Sequence, residues 1–408
     1  MSGLPVQFKA DMIPATPWTG CLAIPRSSLA QIQEMLHTLR IAWMTVWILL
    51  AGMSGGTAFA ALPLESGAGE LSAGSNLRLI EDPRANWTFE DAVAALESQG
   101  ELWSQPGFPT LGYTESAYWA AVDVSNRFTA DQTWLLKFKL ASLDRLDFWY
   151  QNSQGQWIQK SAGDTLAFDG RDIAHHSLIF SFEALAGQAQ TLYLRVQSNG
   201  SVQLPVTLLS LEEFQQSSKS EYFWIGLYYG ILAVVALYSL FIWVSTREQL
   251  YLYYVYFLVF GGLFSFSFQG LSFQYFWPDN PYWANRSIMT FIALACASGL
   301  AFVRAFITLE QFNAPLDRVF KGLIVASLGY ALVSIVVPSG FLVILMNLFI
   351  VMLVVVVSMG AVQVARKGYR PAQFMLLAWS LLMFGILIEV VQRLGVNLPP
   401  MLSYHSFQ

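Results

Sequence analysis

Two textures of hydrophobic and polar positions divide the chain near residue 220. Before that point apolar side chains recur at every second position. In Leu136-Lys-Phe-Lys-Leu140 the apolar residues point one way and the lysines the other, as a half-buried strand requires. Leu146, Phe148 and Tyr150 continue the alternation, Asn152-Ser-Gln-Gly155 supplies turn chemistry, and Trp157 opens a further strand. Leu192, Leu194 and Val196 alternate with Tyr193 and Arg195. After the turn Ser198-Asn-Gly200, Val202, Leu204, Val206 and Leu208 alternate again. Short strands separated by turns over about 150 residues predict a β-sandwich such as a jelly roll, with one short helix over Glu90–Ser98.

Past residue 220 the period changes to long apolar runs. Tyr222–Val244, Leu250–Leu271, Ser287–Ile307, Phe320–Val337, Phe341–Val364 and Pro371–Val391 each approach or exceed the roughly 20 residues a helix needs to cross a bilayer. Pro338-Ser339-Gly340 leaves almost no loop between the fourth and fifth, which predicts a tight helical hairpin. The fold class expected is an all-β sandwich followed by an all-α bundle of membrane helices.

Composition agrees: 55% of the 408 residues are hydrophobic and 12% charged, against about 25% charged in a typical soluble domain. A net charge of −5 gives no sign of a nucleic-acid partner. Near the start, Leu39-Arg40, the apolar run Ile41–Ala51 and Ala58-Phe59-Ala60 fit an export signal cleaved after Ala60. Met35 fits that signal better as the start than Met1 does, and an uncleaved helix over 41–61 is the competing reading. Expected domains are a signal region 1–60, an exported sandwich 61–218, membrane helices 219–393 and a tail 394–408. Cys21 precedes the cleavage point and Cys296 lies in the third run, so no internal disulfide is expected.

Specific segments carry a resemblance. Leu79-Ile-Glu-Asp-Pro83, Trp87-Thr-Phe-Glu-Asp91, Ser116-Ala-Tyr-Trp119, the run Gly163-Asp164, Phe168 and Arg171-Asp-Ile173, and Tyr193-Leu-Arg-Val196 resemble the second type of extracellular domain in bacterial 7TM receptors with diverse intracellular signalling modules. Gly226-Leu-Tyr-Tyr-Gly230, Leu237-Tyr238 and Tyr251-Leu-Tyr-Tyr254 resemble the first two membrane spans of the same family, with Ser239 where an asparagine is usual. The resemblance implies a periplasmic jelly roll similar to carbohydrate-binding modules, a seven-helix region, and an output module that is commonly a diguanylate cyclase or histidine kinase. It also implies a homodimer. Asn397-Leu-Pro-Pro400 resembles the approach to a seventh helix, so the chain reads as a receptor cut before that helix and its output.

The distribution of positive charge sets an orientation. With the sandwich outside, inner loops hold Arg247, Arg304, Arg318, Lys321, Arg366, Lys367 and Arg370, while outer loops hold Arg286 and Arg393. Trp224, Trp243, Trp277 and Trp283 fall near the expected interfaces. This predicts a multi-pass protein of the bacterial inner membrane, in contact with the lipid bilayer and with its sandwich in the periplasm.

For a small periplasmic ligand the candidate residues are Arg145, Trp149, Trp157, Arg171, His175 and His176. Aromatic faces stack on sugars and charged groups grip hydroxyls, although strand tryptophans more often serve packing and Arg171 is equally consistent with a pair to Asp164. His175 and His176 would need converging rings to hold a metal, and neighbours on a strand face opposite sides, so no metal site is expected. In the membrane region Glu389 and Arg393 read as an ion pair one turn apart. Asn347 and Gln363 are expected on one side of the fifth helix, bonding to its neighbours. No phosphate loop, zinc spacing or nucleophile elbow occurs, so neither catalysis nor a cofactor is expected. The functional reading is a transmembrane receptor. A carrier with a periplasmic binding domain and a nonfunctional truncated fragment are the alternatives.

Overall fold

The alternation before residue 210 folds into two sheets packed face to face. The computed structural model describes residues 61–65, 69–103, 107–337 and 339–377, together with positions 380, 385 and 388. The larger sheet has the order β4 (Glu101–Leu102), β3 (Leu77–Asp82), β6 (Ala117–Asn126), β11 (Ala189–Gln197), β8 (Arg145–Gln151), β9 (Trp157–Ala162), with β1 (Leu62–Leu64) parallel to the end of β6. The smaller sheet runs β10 (Leu178–Ala184), β7 (Gln132–Phe138), β13 (Val206–Ser210), β2 (Leu71–Ser72). Leu77, Val122, Phe148 and Leu194 from the first meet Trp134, Leu136, Phe180 and Leu208 from the second in one core.

The run from Val202 to Leu208, expected as one strand, is two. Ser201–Gln203 (β12) pairs with Thr110–Tyr113 (β5), whereas β13 pairs with β7. Pro205 lies between them and has no N–H to give a ladder. The expected short helix is present as α1, Phe89–Gln99, started by a capping box in which Thr88 and Asp91 bond reciprocally. It lies over the outer face of the larger sheet, closing Ala92 and Leu96 on Trp119, Trp149 and Tyr193.

The smaller sheet's outer face is buried as well. Leu135, Lys137, Ile179 and Leu209 alternate with core residues and are each at most 2% exposed, because the start of α2 (Leu211–Thr246) packs on β7 and β13. Lys137, expected to reach solvent from a half-buried strand, is therefore enclosed. This helix begins directly at the end of β13, with Ser210 and Glu213 forming its capping box. The first apolar run is thus roughly the last two-thirds of a 36-residue helix, about 54 Å long against a hydrocarbon core of about 30 Å.

Four more long helices follow: α3 (Gln249–Phe268), α5 (Pro281–Phe306), α7 (Ala314–Val336) and α8 (Ser339–Arg366), with short α4 (Leu271–Tyr275) and α6 (Leu309–Phe312) between them. Among the described residues these four and α2 are long and apolar enough to cross a membrane. Of the sixth run, residues 371–377 are helical and most of the rest lies outside the described residues. α5 is the central element, packed on α3, α7 and α8. Close approach is permitted by small residues: a Cβ on Gly262 of α3 would sit 2.6 Å from Leu232 of α2.

Phe180 is fully buried and stacks on Phe148 at 5.4 Å between ring centroids. Phe180→Ala is expected to destabilise the sandwich by about 3–5 kcal/mol, read as a lower thermal midpoint of the detergent-solubilised chain. An unchanged midpoint would place the core elsewhere.

Candidate functional site at the sandwich and helix junction

The segment from Gly163 to Ser177 leaves β9, makes a 3-10 turn at Phe168–Gly170 and enters β10. It lies against the membrane helices. Arg171 donates from Nη1 to the backbone oxygens of His175 (2.9 Å) and His176 (3.2 Å), which holds the segment in a tight curve. Its guanidinium lies 4.6 Å from the ring of Phe168 and 5.3 Å from that of Phe273 on α4. Burial lowers the Arg171 pKa to about 10, an effect that nearby Asp164 partly opposes, so the side chain remains charged at neutral pH.

His175 and His176 precede β10, and strand alternation does not apply to them. Their rings lie 4.3 Å apart between centroids, both edge-on to Tyr222 of α2. His176 Nδ1 is 3.0 Å from the Gln269 carbonyl at the end of α3, and its Nε2 is 3.2 Å from Glu221 Oε1. The second carboxylate oxygen of Glu221 accepts from Lys137 Nζ at 2.7 Å. One acidic side chain on α2 therefore ties two parts of the sandwich, β7 and the 171–177 segment. His175 accepts from Ser177 N–H at Nδ1. Burial, then the neighbouring His176, pushes its pKa down to about 3, so it stays neutral.

Gly270 completes the contact on the helix side. It has φ +80°, and a Cβ there would lie 2.6 Å from both Ala141 Cβ and the His176 carbonyl oxygen, so backbone meets backbone where α3 turns into α4.

Asp164 does not pair with Arg171. Its Oδ2 accepts from Asn285 Nδ2 of α5 at 3.0 Å, and its Oδ1 is buried without a hydrogen-bond partner. Burial raises the carboxyl pKa to about 7, helped by the charge of Asp144. A cavity of about 70 Å³ lies here between the sandwich and α3, α5 and α8, with Asp144, Asp164, Gln203 and Asn285 on its walls. Nearby, Asn347 of α8 donates to the Tyr113 hydroxyl of β5 at 2.6 Å.

The six expected ligand residues thus divide into two groups. Arg171, His175 and His176 belong to the junction. Arg145, Trp149 and Trp157 are on the outer face of the larger sheet. Trp149 is covered, stacked on Phe89 of α1 at 5.2 Å. Trp157 is 42% exposed and edge-on to Phe89 and Tyr193. Arg145 Nε reaches both oxygens of Asp147, which also accepts from Ser161 Oγ.

Asn347 and Gln363 are sixteen residues apart, which at 100° per residue puts them about 160° apart around α8 rather than on one side. Asn347 accordingly bonds to the sandwich, and Gln363 accepts from Asn313 at the start of α7. Glu389 and Arg393 lie outside the described residues. Lys137, Gln269 and Asn285 carry no functional signal in the sequence, whereas Glu221 is legible as an acidic residue at the head of the first apolar run.

Residues 74–210 match the family model described as 7TMR-DISM extracellular 2, and residues 221–408 match the model described as 7TM diverse intracellular signalling. No curated protein matches the chain.

Two outcomes test the junction. Glu221→Gln leaves Lys137 buried without its counter-charge and is expected to cost about 3–5 kcal/mol, while Lys137→Met combined with Glu221→Gln recovers most of that loss in thermal melts. Asp164 has a folded pKa above its ordinary 3.8, so its contribution is full below about pH 4 and lost as pH rises through 7. The difference reaches up to about 4 kcal/mol. Asp164→Asn, which keeps the acceptor for Asn285, should flatten the stability profile between pH 4 and 7; an identical profile would contradict the assignment.

Proposed function

Because this chain belongs to the 7TM receptors with diverse intracellular signalling modules, we propose that it senses a small carbohydrate-like molecule in the periplasm and passes the event through its helices to an intracellular output module. The ligand surface in this reading is the uncovered part of the larger sheet's outer face, where Trp157 offers an exposed aromatic plane opposite Gln151 at one end of the β8–β9 pair and Arg145 and Ser161 lie toward the other end. Such a face suits the apolar side of a sugar ring and its hydroxyls together.

The observation that carries the reading is mechanical. α2 runs without a break from β13 into the membrane stretch, and Glu221 binds it sideways to Lys137 and His176. A ligand that favours one arrangement of the sandwich therefore has a stiff path to the helix bundle, provided its affinity differs between the two arrangements. The far end of the bundle gathers positive charge around the turn between α5 and α7. Arg304 pairs there with Asp317 and Glu310, Lys321 pairs with Asp317, and Lys367 donates to the Phe312 carbonyl. That charge supports a cytoplasmic position for this end, opposite the sandwich.

The test uses the whole chain in nanodiscs and a panel of neutral and acidic mono- and disaccharides. At least one should raise the thermal midpoint in a saturable way. Trp157→Ala should abolish that shift with the fold intact, and Glu221→Gln should retain binding while losing the ligand-induced distance change between spin labels at the inner ends of α2 and α8. A panel without effect would overturn the ligand class, and a shift surviving Trp157→Ala would overturn the surface.

A further inference from the structure

We propose that His175, His176 and Glu221 bind a divalent first-row transition-metal cation, with zinc as the reference ion, at the seam between the sandwich and α2. The site lies on the junction that the receptor reading uses for transmission. It rests on that reading only for its consequence, since binding is measurable without any signal.

The donor atoms of these three residues all lie within 4.8 Å of one another. The two histidines are 2% and 5% exposed, and they are two of only four in the whole chain. The ring Nε2 of His175 is buried with no hydrogen-bond partner, and that of His176 is buried and faces Glu221 Oε1 at 3.2 Å. An unpartnered buried nitrogen is costly, and here it lies beside a second imidazole and a carboxylate.

The tautomer of His176 sharpens the case. The Gln269 carbonyl can only accept, so Nδ1, 3.0 Å away, carries the ring proton. In the neutral ring Nε2 then presents a lone pair, and 3.2 Å away it meets Glu221 Oε1. Two acceptors at that separation repel unless a proton or a metal cation lies between them. Zinc bonds of about 2.0–2.1 Å place tetrahedral ligands about 3.3 Å apart, which matches this spacing. A ring N–H held by a backbone carbonyl is also the usual outer support of a metal-bound histidine.

The neighbours rank the ligands. Lys137 occupies the other Glu221 oxygen, so Oε1 is the one left for a metal. Its ammonium and the Arg171 guanidinium oppose a cation, and the Glu221 carboxylate standing between Lys137 and the site limits that effect. His175 Nδ1 accepts from Ser177 N–H, so coordination through Nε2 would move the ring proton and give up that bond. His175 is therefore the weaker ligand. A bound ion would take two ligands from the sandwich and one from α2, fixing the arrangement of the junction.

The experiment uses the full chain in detergent after treatment with a chelator, titrated with zinc and separately with cobalt(II), whose visible absorption strengthens greatly on four-coordination. Expected are one saturable zinc per chain, a cobalt spectrum of four-coordinate type, loss of both in His176→Ala and weakened binding in His175→Ala. Should His176→Ala not fold, His176→Cys decides: it should retain cobalt and add a thiolate-to-metal charge-transfer band. Absence of saturable binding, binding undiminished in His176→Ala, or bound cobalt without the thiolate band would each overturn the site. None of these would touch the receptor reading, which is tested by saccharide binding at Trp157 and by the distance change lost in Glu221→Gln.

Discussion

A buried ion pair between a strand and a membrane helix organises this molecule. Lys137 is 2% exposed, and an ammonium so enclosed needs a counter-charge within hydrogen-bond reach. Glu221 supplies it from α2. The pair fixes where that helix lies on the smaller sheet, which in turn encloses Leu135, Ile179 and Leu209. The same carboxylate reaches His176, whose other nitrogen meets the end of α3. Removing the pair would leave attachments between sandwich and bundle that include the α2 backbone, the His176 and Gln269 bond, the Arg171 and Phe168 contacts with Phe273, and the bonds of Asp164 and Tyr113 to Asn285 and Asn347.

In the proposed reading, the ligand surface and the transmitting junction lie on different sheets. The outer face of the larger sheet is remote in topology from α2, which packs on the smaller sheet. A change begun around Trp157 has two routes to the junction, through the core formed by Phe148, Phe180 and Trp134 and along β9 into the segment that holds Arg171, His175 and His176. Tightly packed cores shift between discrete arrangements more readily than they deform, so a small ligand can act at a distance if the junction has two states. Polar groups at the junction that lack partners, such as Asp164 Oδ1 and His175 Nε2, are where such a second state would gain contacts.

Much of the fold was legible in the sequence because its periods are local. Alternation at Leu146, Phe148 and Tyr150 identifies β8, and the Asn152–Gly155 turn and Trp157 identify the hairpin to β9. Apolar run lengths identify the membrane helices. What was not legible depends on which element covers which face. Lys137 reads as solvent-facing in a strand, and only the packing of α2 reverses that. Trp149 reads as a ligand platform until α1 is laid over it. His175 and His176 read as strand neighbours facing apart, whereas they fall in the curve that Arg171 holds just before β10. The start of α2 at Leu211 is hidden from hydropathy because its first turns are polar, and only the apolar stretch that follows stands out.

The claim that the sandwich and the outer ends of the helices form one mechanical unit is tested most directly by amide hydrogen exchange on the full chain in nanodiscs, comparing wild type with Glu221→Gln. The account predicts that protection falls together in β7, in residues 171–181, in the first half of α2 and in α4, with the outer face of the larger sheet little changed. A loss confined to the few residues around position 221, with β7 and α4 as protected as before, would contradict it.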